Sequence, residues 1–345
     1  MAKPDLRSMT IEELQILTDE IGEPKFRAKQ IFEWLHKKNV NSFDEMTNIS
    51  KSMREKMSEK YKISNLKIVE KKESKDGTIK YLFALDNDNI IESVLMRYSF
   101  GNAVCVSSQA GCRMGCSFCA STLNGLEYNL LAGEILEQVY EIQKDIGERI
   151  SNVVLMGSGE PLDNYKNVLK FIKIINDENG IAIGQRHITL STCGLAEKIL
   201  LLKEENLQIT LAVSLHAPND EIRKSIMPVA KKYSIDQLLG ACKEYSDATK
   251  RRITFEYALI KDVNDSIECA KELSHRLKNM LCHVNLIPVN DVKEKNYKRS
   301  SETTIQNFAD YLNSKGIETT VRRKLGSDIN AACGQLRRGY LKNRG

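Results

Sequence analysis

A chain of 345 residues, 41% hydrophobic and 28% charged, is long enough for one large domain with a smaller appendage and apolar enough for a sizeable core. No run approaches the roughly 20 apolar residues of a membrane span, and the polar start Met1-Ala2-Lys3-Pro4-Asp5 does not read as a signal peptide, so a cytoplasmic protein with no membrane partner is expected. Nine cysteines, an odd number, suit a reducing compartment better than a disulfide scaffold.

Thr10-x-x-Glu13 reads as a capping box, and Ile11, Leu14, Leu17 and Ile21 follow on one helical face until Gly22 and Pro24 break it. A second helix carries Phe26, Ile31, Trp34 and Leu35, with Lys37 and Lys38 at its end, where the helix dipole favours cations. Ile49, Met53 and Met57 mark a third. Residues 1–62 are therefore read as a small helical accessory domain. From 63 to 97 the pattern turns strand-like: 68–69 and 81–85 flank the turn signal Lys75-Asp76-Gly77, and 90–96 follows Asn87-Asp88-Asn89. A short antiparallel β ribbon leading into the main domain is expected there.

From 98 to 345 strands alternate with helices. Strands are expected at 103–107, 153–156, 187–190, 209–215, 253–260 and 283–287, each followed by a helical stretch such as that of Ile135, Val139, Ile142 and Ile146. Six β–α repeats imply a parallel sheet with right-handed crossovers, and the absence of GxGxxG after the first strand disfavours a dinucleotide fold. The expected class is α/β, an open, partial (β/α)6 barrel whose reactive groups sit at the carboxyl ends of its strands. The polar landmarks agree: Gly159 and Glu160 follow the second strand, Ser191 the third, Ser214, Leu215 and His216 end the fourth, and Asn290 lies just beyond the sixth. Glycines at 157 and 159 let a ligand approach the backbone.

The first strand runs into Cys112-Arg113-Met114-Gly115-Cys116-Ser117-Phe118-Cys119. Three thiols within eight residues are too close for three legs of a disulfide framework, but a loop of this size can turn its sulfurs onto one face of a metal cluster. Four cysteines per centre is the usual rule for cubane Fe–S clusters and closed zinc sites. Here the fourth is missing, which leaves one metal position open for chemistry. Near the other end, residues 321–345 carry seven basic side chains against Asp328 alone, and Lys293, Lys295, Lys298 and Arg299 form a second basic group. Such clusters neutralise phosphates. Amid the tail stands Cys333, with small neighbours that leave room for a bulky guest and cations that favour a thiolate nucleophile.

The C-x3-C-x2-C run resembles the cluster motif of the radical S-adenosylmethionine (SAM) superfamily. Its flanks, Cys105-Val-Ser-Ser-Gln-Ala-Gly-Cys112, Gly157-Ser-Gly-Glu-Pro-Leu-Asp-Asn-Tyr165, Ser214-Leu-His-Ala-Pro218 and Ala331-Ala-Cys-Gly-Gln-Leu336, together resemble the bacterial adenine-C2 methyltransferases of 23S ribosomal RNA and transfer RNA. The resemblance implies a [4Fe–4S] cluster on Cys112, Cys116 and Cys119, and two SAM molecules per turnover at a site made by Gly159, Glu160, Ser191, Ser214, Leu215, His216 and Asn290. It makes Cys333 the methylated cysteine, Cys105 the partner that resolves a protein–RNA adduct, and Glu92 the acceptor of the C2 proton. It further implies a monomer fed by a flavodoxin- or ferredoxin-like electron donor, and it gives the helical domain a contact with RNA. The substrates would be an adenine of the peptidyl transferase centre and the anticodon-adjacent adenine of tRNAs. Cys193, Cys242, Cys269 and Cys282 match no such pattern and are read as small core residues.

Two rivals stand beside this reading. A sister group that methylates adenine C8 shares the cluster loop and both extra cysteines, but Glu160-Pro161-Leu162-Asp163-Asn164-Tyr165 and Gln185-Arg186-His187 resemble the C2 branch. An Fe–S or zinc RNA-binding module without methyl transfer leaves Gly159, Glu160 and Cys333 without a task.

Overall fold

The first helix begins as its sequence announces: the Thr10 hydroxyl accepts from the Glu13 amide, and the Glu13 carboxylate accepts from the Thr10 amide at 2.9 Å. In this computed structural model, which describes residues 3–289, 297–323 and 325–329, α1 (Ile11–Glu20), α2 (Phe26–His36) and α3 (Lys51–Lys60) pack through Leu14, Leu17, Ile31, Leu35, Met53 and Met57. Phe26, expected on the inner face of α2, is exposed.

This helical domain is bolted to α4 (Ala132–Ile146), the first helix of the barrel. Arg7, fully buried, donates to the carbonyls of Leu35 and Val40 at 2.8 and 2.7 Å, and its Nε lies 2.9 Å from the carboxylate of Glu137 on α4. His36 Nδ1 is 2.9 Å from the hydroxyl of Tyr140, also on α4. At the amino end of α4 the Gly133 amide donates to Ser8, and Ser8 in turn donates to Asp5. A methyl group at Gly133 would lie 2.3 Å from the Asp5 carboxylate and 2.9 Å from the hydroxyls of Ser8 and Ser64. A side chain there would push the two units apart.

Three strands, β1 (Lys67–Glu73), β2 (Ile79–Ala84) and β3 (Ile90–Tyr98), form the expected antiparallel ribbon. The ribbon is not a separate layer. Strand β3 pairs antiparallel with β4 (Gly101–Cys105), setting Val94 opposite Cys105, so the ribbon extends the barrel wall. From β4 onward the sheet is parallel through β7 (Ile150–Leu155), β8 (Ile188–Thr192), β9 (Thr210–Ser214), β10 (Ile253–Leu259), β11 (Cys282–Pro288) and β12 (Thr319–Val321). One ten-stranded sheet results, with β1 and β12 at its edges, so strand pairing leaves the barrel open. The crossovers are made by α4, α5 (Tyr165–Asn176), α6 (Ala196–Glu204), α7 (Asp220–Ile226) with α8 (Ile235–Thr249), α9 (Ile267–Arg276) and α10 (Glu302–Ser314). The six expected strands are all present. The sequence pattern gave no sign of β12, three residues long, or of the small pair β5 (Gln109–Gly111) and β6 (Leu126–Asn129) that brackets the cysteine loop. No helix of the described residues is long and apolar enough to cross a membrane.

Two consequences can be measured. Gly133→Ala should lower stability by about 1–3 kcal/mol, the usual cost of overpacking, read as a drop in Cm with m unchanged in urea unfolding. Burial, and then the charge of Arg7, holds the His36 imidazole well below its ordinary 6.5, so the unfolded chain takes up a proton there that the folded chain refuses. Its contribution to stability is present above about 6.5 and is lost as pH falls below it, by about 1.4 kcal/mol per unit. The stability advantage of the natural chain over His36→Gln should shrink at that slope on acidification. A pH-independent difference would mean that His36 is not a buried neutral base.

Candidate active site

The loop between β4 and α4 is held in shape by its own backbone. The pairing of β5 with β6 closes its neck, and the Cys112 amide donates to the Gly125 carbonyl at 2.8 Å. Gly111, at φ +75°, approaches Gly125 so closely that a Cβ would sit 2.1 Å from that carbonyl oxygen. Further along, the Ser117 amide donates to the Ile226 carbonyl of α7, and the Cys119 amide to the Cys116 carbonyl. The loop is thereby turned over the barrel mouth, where Cys112, Cys116 and Cys119 line a cavity of about 420 Å³, within the range of about 300–1,000 Å³ typical of small-ligand pockets.

Among the described residues no three acidic, His or Cys side chains converge on one point, as a single ion would require. The three thiols all line this one cavity, and three sulfur donors from one loop are the donor set a cubane cluster with one open iron takes. Burial pushes the Cys112 and Cys116 thiols up to about 12, so metal binding there must release their protons. Charge compensation is at hand. Arg223 on α7 is fully buried, its charge acts on Cys116, and its Nη1 has no hydrogen-bond partner among the described residues. A buried cation with a spare donor whose charge reaches Cys116 fits an anionic [4Fe–4S] centre in this cavity.

Across the cavity, Gly159 at φ +104° carries the chain past Gln109, whose amide nitrogen a Cβ would meet at 2.8 Å. This places Glu160 at the rim with both oxygens fixed: Oε1 accepts from the Leu162 amide at 3.0 Å and Oε2 from the Cys193 amide at 2.6 Å. Burial raises its pKa against those donors and the Thr192 hydroxyl. Ser191, Ser214 and His216 line the same space. His216 holds a left-handed backbone, φ +55°, costly for a residue with a Cβ. Asn264 stabilises it, donating at 2.7 Å to the carbonyls of both His216 and Ala258. The imidazole Nδ1 accepts from the Ala258 amide at 2.9 Å, which leaves the proton on Nε2. Burial, then Arg223, push this histidine down to about 3, so it is a neutral donor, and it meets Phe118 of the cysteine loop edge to face.

Cys105, at the end of β4, lines the cavity and forms a small buried cluster with Met96 and Ala103, against which Val94, Met156 and Leu325 pack. Leu325 belongs to a strap clasped by the β1–β2 turn: the Gly326 amide donates to Asp76 at 2.8 Å, and Asp328 accepts from Ser74 and the Lys75 amide. Against the effect of burial, the Gly326 and Thr78 donors hold the Asp76 carboxyl down to about 2. The described chain ends at Ile329, four positions before Cys333. Glu92 does not line the cavity; it is buried on β3, on the face that also presents Val94 and Met96, with Lys80 Nζ 3.5 Å from its carboxylate. Leu215 is likewise no lining residue, its side chain lying wholly in the core. Asn290 and Cys333 lie outside the described residues. Cys193, read from the sequence as a core residue, is buried in the core, and it also lines the cavity, where its amide holds Glu160. Arg223 and Asn264 also escaped the sequence reading, because their partners are backbone carbonyls that only the folded rim assembles.

Comparison with known proteins places this geometry. Residues 106–273 match the profile of the radical SAM superfamily, and residues 4–63 that of the ribosomal RNA large subunit methyltransferase N-terminal domain. The chain is 59% identical to a probable dual-specificity RNA methyltransferase RlmN of Clostridium novyi, over 98% of this chain and 99% of that one. It is 58% identical to the protein of the same name from Alkaliphilus oremlandii, over 99% and 100%. A crystal structure of a radical SAM methyltransferase from Sphaerobacter thermophilus superposes with a TM-score of 0.91 at 42% identity, covering 96% of this chain and 98% of that one. The chain belongs to the RlmN family of radical SAM RNA methyltransferases.

Proposed function

We propose that this enzyme methylates C2 of adenine in 23S ribosomal RNA, at the peptidyl transferase centre, and in the anticodon-adjacent position of tRNAs, carrying the methyl group on Cys333. The observation that carries the reading is the single cavity shared by Cys105, the three loop thiols and Leu325, eight positions before Cys333 in the chain. C2 of adenine and the SAM methyl are both electrophilic, so direct displacement cannot join them. The Cys333 thiolate first takes a methyl from one SAM, forming an S–CH3 bond as the sulfonium–methyl bond breaks. Cys112, Cys116 and Cys119 would hold a [4Fe–4S] cluster, which when reduced by a flavodoxin- or ferredoxin-like donor would supply the electron that cleaves a second SAM, whose nucleoside fragment then takes one hydrogen atom from the S-methyl carbon, and would take that electron back once C2 has lost its proton.

The protein's residues govern the remaining steps. Glu160, with its oxygens fixed by the Leu162 and Cys193 amides, receives the SAM ammonium, and the Nε2–H of His216 donates to the bound nucleoside portion. Asn290 completes the SAM contacts together with Gly159, Ser191 and Ser214. Once the S-methylene carbon is joined to C2, Glu92 accepts the C2 proton. Cys105 then attacks the sulfur of Cys333: a disulfide forms, the S–CH2 bond breaks, and its electron pair with a proton completes the methyl group. Reduction of that disulfide resets the enzyme. The target adenine must leave its stack to reach the cavity, which suits a basic tail that engages the phosphates around it.

The two cysteines should fail differently. Cys333→Ala should retain its cluster but form no covalent RNA adduct and transfer nothing. Cys105→Ala should be loaded with methyl, react once, and remain attached to RNA. Each variant is purified from cells and run on a denaturing gel with and without ribonuclease. An RNA-linked Cys333→Ala, or a Cys105→Ala that turns over freely, would reverse the assignment.

A further inference from the structure

Lys80 is an unusual side chain to find in a sheet. It lies on β2 with no exposed surface, and its Nζ is 3.5 Å from the carboxylate of Glu92, itself 6% exposed, on the neighbouring strand. The register is regular: Lys80 pairs with Val94 and Leu82 with Glu92, so Lys80 and Glu92 are diagonal neighbours on one face of the sheet. That face is the cavity face, because Thr78, Val94, Met96 and, across β4, Cys105 line the cavity from it. Removing one partner of such a pair leaves the other uncompensated. Hydrophobic residues of the same volume would pack this wall at least as well, so packing alone gives no reason for a charge pair here.

We propose that Lys80 is a positioning residue for proton abstraction, its ammonium holding the Glu92 carboxylate on the cavity face of β3, the strand paired with that of Cys105. This rests on the reading of Glu92 as the acceptor of the C2 proton. In that step the C2–H bond breaks, the proton passes to a Glu92 oxygen and the bonding pair stays in the ring, while the unpaired electron left by addition of the S-methylene carbon returns to the cluster, so that aromaticity is restored. A neutral carboxylic acid at 92 has no basic oxygen of useful strength and cannot take that proton. Lys80 itself touches neither RNA nor SAM in this scheme; it acts through Glu92.

The test uses full-length enzyme with its cluster and an RNA substrate deuterated at C2 of the target adenosine. Glu92→Gln should cleave SAM and form the protein–RNA adduct, but retain the deuterium and release product at least tenfold more slowly. Lys80→Met should stall at the same stage with the same retained deuterium, and Lys80→Arg, which keeps the cation, should restore release. If Glu92→Gln stalls while Lys80→Met releases product normally, the role of Lys80 is overturned. It is also overturned if Lys80→Met loses SAM cleavage and adduct formation together, as a structural defect would. If Glu92→Gln itself sheds deuterium freely, the reading of Glu92 fails, whatever Lys80→Met does. Melting of the cluster-free proteins supplies an independent check. Lys80→Met should melt lower than the natural chain, and Lys80→Met combined with Glu92→Gln should recover much of that loss, whereas additive losses would show no coupling between the pair and overturn the proposal.

Discussion

Parallel strands joined by right-handed crossovers must deliver all their carboxyl ends to one rim, and everything reactive in this molecule depends on that constraint. The cysteine loop leaves β4, Glu160 follows β7, Ser191 and Cys193 end β8, and Ser214 and His216 end β9. Residues scattered over more than a hundred positions of sequence thereby face one cavity. The rim is then locked by a buried guanidinium: Arg223 donates to the carbonyls of Cys193, Ser214 and Leu215, tying the ends of β8 and β9 to α7. The charge of the side chain that organises this backbone also acts on Cys116 of the loop, so one residue serves both the architecture and the electrostatics of the cavity.

The second constraint is the open edge. With only parallel pairing, β4 would be an edge strand beside the site. The antiparallel ribbon covers it, placing Val94 against Cys105 and Lys80 beside Glu92, and its β1–β2 turn grips the strap that runs on toward Cys333. The ribbon is therefore part of the site wall and not a linker. The helical domain is coupled to the same core by different means, through Arg7, His36 and the tight approach at Gly133. Burial pushes the Glu137 carboxyl up to about 7 even with Arg7 beside it, so this junction is held more by hydrogen bonds and shape than by the ion pair.

Much of this was legible from the sequence because it is local. The Thr10 cap, the Lys75-Asp76-Gly77 turn, the six strand–helix alternations and the cysteine spacing each depend on residues a few positions apart, where periodicity and turn chemistry act. Resemblance supplied roles for Cys105, Cys333 and Glu92 that spacing could not. What stayed hidden is non-local. Cys193 looks like any small apolar residue until Glu160, thirty-three positions away, is found accepting from its amide. Asn264 looks like a loop residue, and its work is to hold the strained backbone of His216 forty-eight positions earlier. Lys80 has no mark in the sequence that separates it from the exposed lysines around it, and only its complete burial in the folded sheet, beside Glu92, sets it apart.

The central claim is that the methyl group reaches adenine C2 by way of a sulfur-bound carbon that has lost one of its hydrogens. Incubating the reconstituted enzyme with a 23S ribosomal RNA fragment and SAM bearing a fully deuterated methyl group tests it, with nucleoside mass spectrometry of the product. The account predicts 2-methyladenosine whose new methyl carries two deuteriums and one ordinary hydrogen. A methyl group transferred with all three deuteriums intact, or one found at C8, would contradict it.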